Sequence, residues 1–231
     1  MRLTKHAPLS PPSATRLQRP VAVSRPDFAH RLAERLTLTP PETEFDPKHF
    51  PRLGDHNLAP LMASPDPRSH RPAAVLVGLV EEPGGYNVLL TKRAANLRTH
   101  SGQIAFPGGK IDPEDDSAVA AALREAKEEV GLEEHFVTPI GYLDPYLSGT
   151  GYRILPVVAT IRRGFTLIPD PSEVESVFEV PLDFLMDPSH HARHTRELRG
   201  AWRTYHAMPY QDHYIWGVTA GILKNLYERM A

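Results

Sequence analysis

Proline and glycine are segregated along this chain, which limits where regular structure can form. Residues 1–72 hold 13 of the 24 prolines but only one of the 15 glycines, Gly54. Proline removes a backbone donor and clashes with the preceding helical turn, so this stretch suits neither a long helix nor a central strand. It reads as an extended lead-in with one short helix, Asp27 to Leu36, where Phe28, Leu32 and Leu36 recur at i, i+4 and i+8. That helix either docks its apolar stripe on the main body or serves as a lid or a homodimer contact. Three regions follow: a disordered or extended arm (1–26), a segment with the docking helix (27–71) and a folded domain (72–231).

From Ala73 the pattern is globular. Ala73–Val80 is an apolar run closed by the turn Glu81-Glu82-Pro83-Gly84-Gly85, which predicts a strand with Asn87–Thr91 as its hairpin partner. Further strands are expected at Gln103–Phe106, Val137–Leu143, Ile154–Ile161, Val174–Val180 and Trp202–His206. Helices are expected at Ser117–Val130, with the stripe Val119, Leu123, Ala126 and Val130, and at Val218–Met230. Strands with interspersed helices predict an α/β or α+β domain with a mixed sheet.

The chain has no Cys, which excludes disulfides, thiolate metal sites and a Cys nucleophile, so any metal must sit on Asp, Glu or His. Lys plus Arg is 26 and Asp plus Glu is 28, a net charge of −2. That balance gives no reason to expect a nucleic-acid or membrane partner, and no apolar run approaches the roughly 20 residues of a membrane helix. Met1–Arg19 lacks the apolar stretch of a secretory signal, and the prolines at 8, 11 and 12 oppose an amphipathic transit helix. The default expectation is a cytoplasmic protein.

The segment richest in chemistry is Arg124-Glu125-Ala126-Lys127-Glu128-Glu129-Val130-Gly131-Leu132. On a helix, Glu125 lies i, i+3 from Glu128 and i, i+4 from Glu129, so three carboxylates project from one side. Like charges so placed repel, and a hard divalent cation such as Mg2+ or Mn2+ relieves that repulsion through oxygen ligands. Arg124 is i, i+4 from Glu128 and can orient it. A solvated acidic face would look similar in isolation. Here, however, the helix follows a Gly108-Gly109 turn and an Asp-rich loop, and Gly131 stands where a C-terminal cap belongs.

This segment resembles the Nudix box, G-x5-E-x7-R-E-U-x-E-E-x-G-U with U apolar. The second half matches at every fixed position from Arg124 to Leu132. The first half departs: six residues separate Gly109 from the acidic position, which is Asp116. Just upstream, Leu89-Leu90-Thr91-Lys92-Arg93-Ala94, Arg98, Gly102 and Phe106-Pro107-Gly108-Gly109 are similar to the motif of the coenzyme A pyrophosphatase branch. The C-terminal Tyr214–Ile222 stretch also looks like that branch, and the resemblance covers residues 72–231.

The resemblance implies an α/β/α sandwich around a central mixed sheet. It also implies hydrolysis of coenzyme A, or its acyl or oxidised forms, to 3′,5′-ADP and 4′-phosphopantetheine. Glu125, Glu128, Glu129 and Asp116 would hold Mg2+ or Mn2+, with Arg124 part of the catalytic set and Glu128 either ligand or base. Arg93, Arg98, Gly102, Phe106, Gly108 and Gly109 would meet the substrate, with Arg supplying bidentate phosphate donors. Asp170, Glu173 and Glu175 are further candidates for the base, and His100 for a substrate contact. His190, His191 and His194 read as a solvated loop, and Trp202, Tyr205, Tyr210, Tyr214 and Trp216 as core or adenine-side packing. Two other readings stand beside this one: a Nudix hydrolase for ADP-ribose or NADH, and a non-catalytic nucleotide-binding module.

Overall fold

The computed structural model describes residues 27–40, 53–58, 69–97, 99–198 and 201–231. The 1–26 arm and Arg98 lie outside the described residues. In chain order the elements are α1 (Asp27–Arg35), β1 (Leu53–Gly54), β2 (Arg71–Glu82), β3 (Gly85–Arg93), β4 (Ile104–Ala105), β5 (Gly108–Lys110), α2 (Ala118–Val130), β6 (Val137–Tyr142), β7 (Tyr146–Leu147), β8 (Tyr152–Ile161), β9 (Val174–Pro181), α3 (Leu182–Leu185), β10 (Ala192–Leu198), β11 (Ala201–Tyr210), β12 (His213–Trp216) and α4 (Val218–Met230).

Strands β1 to β9 form one mixed sheet, ordered β1-β7-β8-β2-β3-β4, with β5 on β2, β6 on β8 and β9 on β3. Strand β2 runs parallel to β8 and antiparallel to β3 and β5. Its residues alternate between two cores, as a strand covered on both faces requires. Leu76 and Ala74 meet α2 on one face, whereas Val77 and Leu79 meet α1, α3 and α4 on the other. The product is a mixed α+β fold with a sheet between helices, and no helix among the described residues is long and apolar enough to cross a membrane.

A second, antiparallel sheet, β10-β11-β12, lies on the α4 side through Met208 and Ile215. The sequence pattern marks only part of β11 and misses β10 and β12. Strand β10 is polar or charged on both faces (ARHTREL) and β12 is only four residues long (HYIW), so neither shows an apolar alternation. The histidines expected in a solvated loop are anchored instead: His190 Nδ1 lies 2.9 Å from the Phe184 carbonyl, His191 Nε2 lies 2.8 Å from the Leu185 carbonyl, and His194 is within β10. Similarly, the strand expected at Gln103–Phe106 shrinks to β4, and the residues read as a Gly-Gly turn form β5.

Helix α1 buries Phe28 and Leu32 completely against the core. It is tied to α4 by reciprocal bonds: Arg35 donates to the Arg229 carbonyl (3.2 Å) and Arg229 to the Arg35 carbonyl (3.1 Å). Deleting the Leu32 side chain should therefore cost about 2–5 kcal/mol, the usual range for a fully buried Leu→Ala change. Chemical denaturation of Leu32→Ala will show this as a lowered midpoint.

Candidate active site

Helix α2 is held rigidly at both ends. The Ser117 hydroxyl accepts from Ala120 N–H at 3.1 Å as N-cap, and Gly131 closes the C-terminus in the left-handed region (φ 71°). The face on the sheet is built from small residues: Ala118, Ala121, Ala122 and Ala126 are buried, with Val130. Leu123 and Val119, expected in the buried stripe, are only half-buried. This alanine face lets α2 approach β2 and β5 closely, and that approach reshapes the carboxylate array.

The three glutamates do not share one environment, contrary to the simple helical projection. The Glu129 side chain is 3% exposed, Glu125 is 17% and Glu128 is 61%. Glu129 accepts from Gly108 N–H (3.1 Å, Oε2) and from Arg93 Nη1 (3.3 Å, Oε1). Burial nevertheless dominates and pushes its carboxyl up to about 7, with Glu125 and Glu173 adding repulsion. Glu125 is raised for the same first reason, burial, partly offset by Arg124.

Arg124 is the organiser of the rim. Its Nε and Nη2 form a bidentate pair with Asp115 (3.0 and 2.9 Å), and Nη1 donates to both Glu125 and Glu128 (3.0 Å each). It also donates to the Lys110 carbonyl at 3.2 Å, so one guanidinium joins the β5 end, the Asp-rich loop and the helix. Asp115 is held below the usual carboxylate range by that pairing. Asp116 is exposed and precedes the Ser117 cap, and its neighbour Asp115 is the aspartate that turns inward to Arg124.

The upstream segment brings further groups in. A register shift between β3 and β9 at Lys92/Arg93 pairs Arg93 with Val174 and skips Glu175. Lys92 then pairs with Glu175 (2.6 Å) away from the site while Arg93 reaches Glu129, which is how a bulge re-aims side chains. Gly102 (φ 66°) closes the turn behind Arg93 with its N–H on the Arg93 carbonyl. Phe106, expected at the substrate, is 4% exposed and packs in the α4-side core. His100 is engaged with Gln103 (2.8 Å).

The two glycines of β5 are used differently. A Cβ at Gly109 would lie 2.5 Å from the Glu125 carboxylate, and one at Gly108 (φ 151°) would lie 2.5 Å from the Ala74 carbonyl. Opposite them, the loop before β9 is fastened to α2 and to the end of β3: Asp170 N–H donates to the Glu129 carbonyl (2.9 Å), and Ala94 N–H, just after β3, to the Glu173 carbonyl (2.8 Å). That places Glu173 near Glu125 and Glu129, the one loop candidate the electrostatics bring to the pair. A cavity of about 410 Å3 opens alongside, lined by Ala94–Asn96, Pro171, Val174 and Glu175.

Residues 69–213 match the NUDIX domain. The chain belongs to the NUDIX family. Over 208 residues it is 38% identical to an uncharacterized Nudix hydrolase NudL of Photorhabdus laumondii, covering 90% of this chain and 98% of the relative. A NudL of Enterobacter sp. is 43% identical over 73% of this chain and 87% of its own. The mitochondrial Nudix hydrolase 15 of Arabidopsis thaliana is 40% identical over 72% of this chain and 61% of its own. NUDIX hydrolases generally use divalent metal ions such as Mg2+ or Mn2+. The donors here fit a hard cation: all are carboxylate oxygens, and two are buried at an electrostatic cost that a cation would offset. As the side chains stand, no three His, Asp or Glu among the described residues converge on one point, since Arg124 bridges Glu125 and Glu128.

Proposed function

We propose that this NUDIX hydrolase cleaves the diphosphate of coenzyme A, free or acylated, to 3′,5′-ADP and 4′-phosphopantetheine. The observation that carries this is the junction of its two motifs. Arg93 and Gly108, both from the segment that resembles the coenzyme A branch, grip Glu129 of the carboxylate helix. Substrate recognition and chemistry thus share one buried carboxylate.

Glu125 and Glu129, with Glu128 at the rim, would hold the divalent cation, which offsets the diphosphate's negative charge and activates water. Arg124 keeps Glu128 and Glu125 oriented, and Gly109, lacking a Cβ, leaves room for the Glu125 carboxylate against β5. Arg93, and Arg98 five residues further along the chain, would supply donors for the diphosphate oxygens. Water adds to one phosphorus, the bridging P–O bond breaks, and the departing phosphate keeps the bridging oxygen. The water proton passes to a carboxylate, and Glu173, facing the pair from the opposite loop, is the acceptor this arrangement favours.

The test is incubation of the full chain with coenzyme A and Mg2+ or Mn2+, with ADP-ribose and NADH in parallel, and chromatography of products. Metal-dependent 3′,5′-ADP from coenzyme A is the expected result. Preferential cleavage of ADP-ribose or NADH would overturn the substrate assignment while leaving the carboxylate helix in its role.

A further inference from the structure

The small sheet β10–β12 presents a face that the chemistry above does not use. Tyr205 and Arg203 of β11, His194 and Arg196 of β10, and Tyr214 and Trp216 of β12 share it by strand alternation and register. His194 Nδ1 lies 2.6 Å from the Tyr214 hydroxyl, which is 3.4 Å from that of Tyr205. The Trp216 ring meets Tyr205 edge to face at 5.1 Å. Tyr214 is 39% exposed, and His194 and Arg196 are exposed, so rings and a cation are open to a ligand.

Two features make this more than an aromatic surface. Arg196 and Arg203 stand directly opposite each other across the strands. Like charges so paired destabilise a sheet, and among the described residues neither is matched by an ion-pair partner. The Arg203 Nε is also buried without a hydrogen-bond partner. Two arginines on one sheet face with these rings suit a phosphorylated base, because rings stack on its π-face while Arg grips phosphate in a fork.

The sheet also stands at the right end of the molecule. Strand β5 pairs with β2 at Ala73–Val75, and β4 pairs with β3 at Thr91 and Lys92, so the carboxylate site lies at the Arg71/Arg93 end of the main sheet. Strand β12 packs on β4 there, and the Thr219 hydroxyl following it donates to the Ile104 carbonyl (2.9 Å). Strand β11 packs on the Asp55–Leu58 turn, whose Asp55 holds Gly149 N–H (2.6 Å) just before β8. Strands β5, β2 and β8 are neighbours, so this edge spans on the order of 10 Å. The small sheet therefore flanks the same end as α2, from the opposite face.

We propose that the Tyr214/Trp216/His194 face with Arg196 and Arg203 is the subsite for the purine and 3′-phosphate of the substrate's nucleoside end. This rests on the coenzyme A reading, of which it is the specificity element. The rings stack the adenine, and the paired guanidiniums read the phosphate that coenzyme A carries and dephospho-coenzyme A lacks.

The test compares wild type, Arg196→Gln and Tyr214→Leu in hydrolysis of coenzyme A and dephospho-coenzyme A, with calorimetric binding of 3′,5′-ADP and thermal melts. Arg196→Gln should raise KM for coenzyme A about tenfold with little change in kcat, and should erase the preference over dephospho-coenzyme A. Tyr214→Leu should weaken both substrates and 3′,5′-ADP by about tenfold; Tyr214→Phe, which keeps the ring, should bind nearly as wild type. Wild-type KM values and 3′,5′-ADP affinity in folded Arg196→Gln and Tyr214→Leu would overturn the subsite while leaving the hydrolase assignment intact. A wild type inert toward coenzyme A would overturn the assignment itself.

Discussion

Replacing Glu129 by Gln should lower kcat by about a thousandfold, on the scale of losing a charge-stabilising group, and should at the same time raise the thermal stability of the metal-free protein above neutral pH. The two effects share a cause. Glu129 is buried at 2% exposure, and burial lifts its carboxyl from 4.5 to about 7. A carboxyl raised on folding contributes stability below its unfolded value, near pH 4.5, and that contribution is lost as pH climbs through 7. At pH 8 the wild type thus carries a buried carboxylate that Arg93 and Gly108 only partly satisfy. Gln has the same shape, still accepts from Gly108 N–H and never ionises, so the decline between pH 4.5 and 7 should flatten in melts with chelator present. Added Mg2+ should stabilise wild type more than the variant. Turnover by Glu129→Gln near the wild-type rate would remove Glu129 from the proposed ligand set; unchanged pH dependence of melting would show that burial is not what perturbs it.

Helix α2 was legible because its signals are local: the 3.6-residue period, a glycine after it and an arginine four residues from a glutamate. The central mixed sheet was legible for a similar reason, since long apolar runs such as Ala73–Val80 have few other places to go. What could not be seen was which carboxylate the sheet covers. That depends on the alanine face of α2 allowing β5 to come close, a tertiary fact that splits three equivalent-looking glutamates into buried, half-buried and exposed. The pairing of Asp115 with Arg124 was not legible, because motif spacing counts residues to Asp116, whereas the loop before the Ser117 cap decides which aspartate turns inward. Phe106 was placed at the substrate by its motif and at the core by its burial. Motif membership records that a residue matters, without distinguishing contact from support. Strand β10 was hidden because its sequence, ARHTREL, is polar or charged on both faces, and β12 because four residues are too few to show an alternation.

Adjacent glycines of β5 should respond to alanine in opposite ways, and the contrast isolates the site from the fold. At Gly109 the atoms nearest the added Cβ are those of the Glu125 carboxylate, at 2.5 Å, the far end of a flexible side chain. Glu125 can swing aside, so Gly109→Ala should fold with little loss of stability. Its carboxylate would, however, leave the place between Gly109 and Arg124 Nη1. A displacement of about 1 Å in a reacting group costs on the order of a hundredfold in rate, so kcat should fall by about that factor. At Gly108 the Cβ meets backbone: the Ala74 carbonyl at 2.5 Å and Val75 Cα at 2.6 Å, with φ at 151°. Nothing there can rotate away, and the β2–β5 pairing that seats Glu129 must separate. Gly108→Ala should therefore lose stability and activity together. If Gly109→Ala instead kept full activity, the position of the Glu125 carboxylate would not matter to the reaction, and the proposed ligand set would contract to Glu129 and Glu128. Melting curves and kcat on the two variants, measured side by side, decide between these outcomes.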